Sequence, residues 1–171
     1  LRERHPAWNH ALYADGYLNP AGGWVESGRV IARLAAEARA KGIEVVENVS
    51  GPRPWFDGAR CAGIESSQQR WSADVVLVAA GAWTPTLLPH LQRFMQATAQ
   101  SVFHFKPHDP KPFTPPQFPV WGADIGNTGW YGFPANAEGL VKVANHGAGR
   151  PVDANDPRFI PAGEEARFRH F

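Results

Sequence analysis

Two runs of strand-forming residues, Trp130-Tyr131-Gly132-Phe133 and Leu140-Val141-Lys142-Val143-Ala144-Asn145-His146, stand on either side of the turn formers Pro134, Asn136 and Gly139. The pattern predicts an antiparallel hairpin with a longer loop. It restricts the fold more than any other stretch, because strand pairing decides which side chains share a face. If Phe133 and Leu140 close the hairpin, Tyr131 lies opposite Lys142, and alternation adds Ala144 and His146 to that face. A lysine beside Leu140, Ala144 and an aromatic ring loses water, so its ammonium is either paired or pushed toward neutrality. Perturbed lysines concentrate in functional sites, which makes Lys142 a candidate. The plainer alternative has Lys142 in solvent while Val141 and Val143 pack.

A second informative stretch is Asp74-Val75-Val76-Leu77-Val78-Ala79-Ala80-Gly81-Ala82-Trp83. Continuous rather than alternating hydrophobicity predicts a strand covered on both faces, as at the centre of an α/β sheet. The small residues at its end let a backbone or a ligand approach closely, although a tight strand-to-helix turn would need them equally. Upstream, Ser27 can cap a helix whose Val30, Ile31, Leu34, Ala35 and Ala38 follow the 3.6-residue period, with Gly42 as its terminator. Ile43–Val49 then reads as a strand.

The remaining stretches are less specific. One strand is expected around Ala11–Leu18, a hairpin from Cys61–Glu65 and Gln68–Ser72 after a break at Pro52, Pro54, Asp57 and Gly58, and a short helix at Thr84–Leu91. A long strand is expected within Phe94–Phe105. Lys106–Pro119 is too rich in proline for helix or central strand and is a loop. These elements predict a mixed α/β fold in which the strands at Ile43–Val49 and Val75–Ala79 share one sheet. Those near Phe94–Phe105, Gly129–Phe133 and Leu140–His146 form a separate antiparallel sheet. The chain opens at Leu1 and closes at Phe171 inside what reads as the first turns of a helix, Gly163–Phe171. It is expected to be a piece of a longer protein.

Composition narrows the partners. With 17 basic against 16 acidic residues the formal net charge is +1, which carries no electrostatic footprint for nucleic acid or an anionic membrane. The longest apolar run, Val75–Ala80, is too short to span a bilayer. The single cysteine, Cys61, excludes an internal disulfide and a cysteine-based zinc site, so no metal is expected and a cytoplasmic setting is the default. Cys61 reads as a small hydrophobe.

Four stretches together resemble the flavin-dependent amino-acid oxidases of the glycine/sarcosine oxidase type, which are D-amino-acid oxidase-like. They are Tyr17-Leu18-Asn19-Pro20 with Gly22-Gly23, Gly42-Ile43-Glu44-Val45, Ala80-Gly81-Ala82-Trp83, and Tyr131-Gly132-Phe133-Pro134 followed by Gly139 through His146. The last is the most specific, because the spacing from tyrosine to lysine to histidine agrees as well as the residue types. The resemblance implies an α+β chain containing part of a Rossmann-like FAD-binding domain and an antiparallel-sheet substrate domain. The expected divisions are residues 1–22 and 92–171 for the substrate part and 23–91 for the FAD part.

The resemblance further implies that Lys142 lies beside the flavin and assists electron transfer to oxygen, since a fixed cation in a dry site stabilises the negative charge that develops there. Tyr131 is expected to orient an amino-acid carboxylate, and His146 to line the same pocket. Val49, Ala80 and Gly81 are expected to meet FAD through their backbone. Small amino-acid-like substrates and oxygen are the implied partners.

Two features depart from that family's pattern. No G-x-G-x-x-G dinucleotide motif occurs in the chain, and the segment that closes over the flavin is not found. This chain alone is therefore expected to be inactive and not to retain FAD. Two other readings stay open: a dehydrogenase of the same superfamily with another acceptor, and a non-catalytic module that binds a small ligand or a partner through Trp121, Trp130, Phe113 and Phe118.

Overall fold

The computed structural model describes every residue from Leu1 to Phe171. The chain divides into two units. The first comprises Leu1–Val25, Thr98–Pro151 and Asn155–Phe171, and the second Glu26–Ala97 and Val152–Ala154.

The second unit begins with helix α1 (Ser27–Ala40), whose N-cap is Glu26 with no side-chain cap; Ser27, expected as the cap, is instead the first helical residue. The helix ends as its glycine predicts. Gly42 takes φ +78°, and the N–H groups of Gly42 and Ile43 donate to the carbonyls of Arg39 and Ala38, each at 3.0 Å. This double closure satisfies the last carbonyls, and its left-handed residue favours glycine. The apolar stripe of α1 nevertheless stays open: Val30, Ile31 and Leu34 are all exposed.

Strands β1 (Arg53–Asp57), β2 (Arg60–Glu65) and β3 (Arg70–Ser72) form an antiparallel meander in that order. The β2–β3 hairpin is the expected one. β1 occupies the stretch expected as a break, and Pro54 is tolerated there because β1 is an edge strand. Glu65 is held between Arg53 at 2.9 Å and Arg70 at 2.6 Å, and Arg70 also lies over the Trp55 ring at 4.5 Å.

The strands expected at Ile43–Val49 and Val75–Ala79 do not form, because neither run enters a ladder. Val75 and Leu77 are 85% and 87% exposed, where a doubly covered strand would bury both. Apolar continuity specifies a strand only if neighbours hydrogen-bond to it, and no strand of this chain does so. The helix expected at Thr84–Leu91 is split into a 3-10 turn at Gly81–Trp83, helix α2 (Thr84–Leu87) and a second 3-10 turn at Pro89–Leu91. Leu88, which precedes Pro89, leaves helical geometry at φ −125° and ψ 78°, as a residue before proline tends to.

The first unit contains the two-residue pair β4 (Thr98–Ala99) and β9 (Arg150–Pro151) together with a four-stranded antiparallel sheet. Its strands are β5 (Val102–Phe105), β6 (Trp121–Ala123), β7 (Trp130–Phe133) and β8 (Val141–Asn145), ordered β5-β8-β7-β6. The long strand expected within Phe94–Phe105 is confined to β4 and β5, and none forms at Ala11–Leu18.

Helix α3 (Glu164–His170) follows Gly163, with Glu164 and Glu165 in its first turn and Arg167, Arg169 and His170 in its last, the arrangement that suits the helix dipole. It lays Phe168, 3% exposed, against Phe103 at 4.5 Å and Trp130 at 4.9 Å. Phe171 stacks on Trp130 at 4.5 Å and on Trp121 at 5.6 Å. This sheet face is the core. Gly132 belongs to it for a steric reason: a Cβ there would strike the Lys142 carbonyl oxygen and the Trp121 indole.

The aromatic set expected as a partner-binding face is therefore internal. Trp130 and Phe118 are buried, Trp121 and Phe113 are half-buried, and Phe118 packs edge-on to Phe113 at 5.3 Å and stacks with Trp8 at 5.9 Å. Rings of this size are worth most when removed from water, and here each has a ring partner.

Candidate active site on the open sheet face

The opposite face of the sheet carries the candidate residues. Phe133 pairs with Lys142, and Tyr131 with Ala144, so the expected pairing of Tyr131 with Lys142 is wrong by two residues. Asn136 explains the difference. Its side-chain oxygen accepts the N–H of Leu140 at 2.9 Å and that of Glu138 at 3.1 Å, while its own N–H donates to the Leu140 carbonyl at 3.1 Å. Leu140 is thereby committed to the loop and cannot close the ladder with Phe133. An even shift keeps every side chain on its face, whereas a shift of one would have inverted the set. Tyr131, Lys142, Ala144 and His146 accordingly share a face, as expected.

Lys142 lies at the middle of that face. Its Nζ is 4.2 Å from the centre of the Phe133 ring and 5.1 Å from that of Tyr131. Burial strips water from the ammonium and holds its pKa below the ordinary lysine value; the ring faces, being electron-rich, offset part of that loss. The Tyr131 ring meets His146 edge-on at 6.2 Å. Ala144, 1% exposed, forms a low floor opposite Tyr131. The ensemble is one partly dry cation among rings, able to stabilise negative charge that appears beside it.

Three neighbours escape a reading based on the hairpin alone. His104 on β5 is the cross-strand partner of Lys142. Trp24, from the loop before α1, stacks on Phe133 at 5.9 Å with its plane inclined by 17°. Gly122 on β6 is paired with Tyr131. His104 reaches Lys142 through the pairing of β5 with β8, which the hairpin does not specify, and nothing local announces Trp24. Gly122, Gly22 and Gly23 also line an open cleft of about 710 Å³.

Val49, Ala80 and Gly81 belong to the other unit. Val49 follows Asn48, a non-glycine residue at φ 58°, and is half-buried. Ala80 caps the 3-10 turn and its carbonyl accepts the Trp83 N–H at 3.0 Å. Gly81 has φ +53°, and a Cβ there would meet nothing within 4 Å. The turn thus presents bare backbone to open space at Gly81. No group of three or more His, Cys, Asp or Glu side chains is placed to hold a metal ion, and no helix is long and apolar enough to cross a membrane.

Comparison with known proteins adds four findings. A family model described as DAO, FAD dependent oxidoreductase, matches residues 1–170. N-methyl-L-tryptophan oxidase of Salmonella typhi is 31% identical over 96 residues, 56% of this chain and 25% of that protein. Monomeric sarcosine oxidase of Streptomyces avermitilis is 26% identical over 139 residues, 79% of this chain and 35% of that protein. Among solved structures, a thermally stable mutant of fructosyl peptide oxidase superposes with a TM-score of 0.64 at 23% identity, covering 87% of this chain and 40% of that one. The chain thus spans between a quarter and about a third of the length of these two curated relatives.

Proposed function

The chain belongs to the FAD dependent oxidoreductase family, and on that premise we propose that its parent protein oxidises the carbon–nitrogen bond of a small amino acid or N-methyl amino acid, with oxygen as the final electron acceptor. One observation carries this reading: a single partly desolvated lysine, Lys142, shares a sheet face with Tyr131 and His146. The reactions named for the two curated oxidases support the substrate class.

When bound, FAD would supply the two-electron acceptor for the carbon bearing the amine, and Val49, Ala80 and Gly81 would hold part of it through their backbone. This chain's own residues perform the rest. Tyr131 offers a phenolic O–H to the substrate carboxylate, while His146, in contact with Tyr131, walls the same pocket. Lys142 keeps a positive charge where negative charge grows on oxygen, in surroundings dry enough to strengthen the attraction. No G-x-G-x-x-G motif is present to cradle a pyrophosphate, so the chain by itself would bind FAD weakly and show no oxidase activity.

Lys142→Met in the parent enzyme tests the reading. The oxygen half-reaction should slow by about a hundredfold or more, with the amine half-reaction changed far less. Stopped-flow traces in which both slow equally would assign Lys142 to substrate binding. A slow oxygen step already present in the unaltered enzyme would favour a dehydrogenase with a different acceptor.

A further inference from the structure

We infer that the side-chain nitrogen of Lys142 is also a nucleophile, which condenses with small aldehydes such as glyoxylate to form a reversible imine. The amine-oxidation reading bears on this only as a source of the carbonyl compound, because water splits an oxidised carbon–nitrogen bond into an amine and an aldehyde or 2-oxo acid. The nucleophile itself rests on the geometry of the sheet face.

The chain has four lysines, Lys41, Lys106, Lys111 and Lys142. The first three are exposed, whereas Lys142 is half-buried within β8. Arginines make the ion pairs of this chain, and Lys142 enters none of them. Its neighbours are rings, Phe133 at 4.2 Å and Tyr131 at 5.1 Å from Nζ, with His104 as its partner on β5. With no paired carboxylate to hold the proton on, and with burial lowering the pKa, the free amine is more abundant here than on a hydrated lysine. The next residue on this face of β8 is Ala144, which contributes only a methyl group and limits crowding around the amine. The nitrogen lone pair adds to the carbonyl carbon, the carbonyl oxygen takes a proton from solvent, and the carbinolamine then loses water to leave C=N. The condensation is redox-neutral: one amine and one aldehyde give one imine and one water. Once protonated, the imine is again a cation beside the Phe133 and Tyr131 rings, so the attraction given up on deprotonation returns in the product. Desolvation activates lysine amines toward carbonyl compounds in this way. While the adduct lasts, the side chain that the proposed oxygen step needs is occupied.

The test treats this chain at neutral pH with glyoxylate and cyanoborohydride, which reduces the imine and leaves a carboxymethyl group on the nitrogen, and locates the label by peptide mass mapping. Lys142 should carry more than half of the lysine label although it is one of four lysines; the α-amino group, reactive in any chain, is counted separately. In guanidinium chloride, where the rings no longer surround it, its share should fall to that of each of the other three. Lys142→Arg should remove the excess and leave the labelling of Lys41, Lys106 and Lys111 unchanged. Labelling of Lys142 at or below the level of the exposed lysines in the folded chain would overturn the inference, as would an excess that persists in guanidinium chloride. Failure of the proposed reaction reads differently: a parent enzyme that oxidises no amine would leave the Lys142 label in place, whereas an enzyme active on amines whose Lys142 resists glyoxylate would sink the nucleophile and spare the reaction.

Discussion

The two units begin from similar apolar patterns and end with unequal cores. In the first, Trp130, Phe168, Phe118, Ala123, Val141 and Ala144 are buried; in the second, Ala62 alone of the hydrophobic residues is. Val30, Ile31, Leu34, Ile43, Val46, Val75 and Leu77, which carry the periodicity of the second unit, are all exposed. The first unit folds its hairpin, its edge strands and α3 onto one another, so its apolar faces find partners within the chain. In the second, the stripe of α1 and the runs around Ile43 and Val75 stay exposed. A hydrophobic pattern states which surface seeks cover, and the cover must come from other elements.

The sharpest way to break this comparison is a matched pair of truncations. Phe168→Ala should cost about 3–5 kcal/mol, the usual loss for a buried aromatic ring. Leu34→Ala in α1 should stay within about 0.5 kcal/mol, since an exposed side chain has little burial to lose. Urea unfolding followed separately in each unit by NMR would report both, and equal losses would mean that α1 is packed in solution.

A smaller effect sharpens the account of the site-bearing hairpin. Asn136→Ala removes the acceptor for the Leu140 and Glu138 N–H groups and should cost about 1–2 kcal/mol. It should also free Leu140 to compete for Phe133. Cross-strand NOEs between Phe133 and Lys142 that survive unchanged would show that the strands alone hold the register.

The smallest effect is alkaline. Burial depresses the Lys142 pKa in the folded state, so between that lowered value and the ordinary 10.5 the unfolded chain binds more protons. Stability should therefore rise with pH across that window, and Lys142→Met should abolish the rise. A flat profile in the unaltered chain would place Lys142 in water.

Much of the site was legible in the sequence because alternation is local. Tyr131, Lys142, Ala144 and His146 fall on one face whatever the exact closure, provided the register shifts by an even number, and residue types marked the turn. Their partners were not legible. Trp24 lies far away in sequence and reaches Phe133 only through the path of its loop, and His104 reaches Lys142 only because β5 pairs with β8.

The sequence by itself determined the elements whose reasons are local: α1 with its glycine terminator, the β2–β3 hairpin, the proline-rich loop, the charged ends of α3 and the shared face of Lys142. Tertiary structure decided what depends on a partner. It made β1 an edge strand despite Pro54, moved the hairpin closure by two residues through Asn136, and turned Trp121 and Trp130 inward under Phe171. It also left Val75 and Leu77 without a ladder, because a strand is defined by hydrogen bonds from its neighbours and no run of residues supplies those to itself.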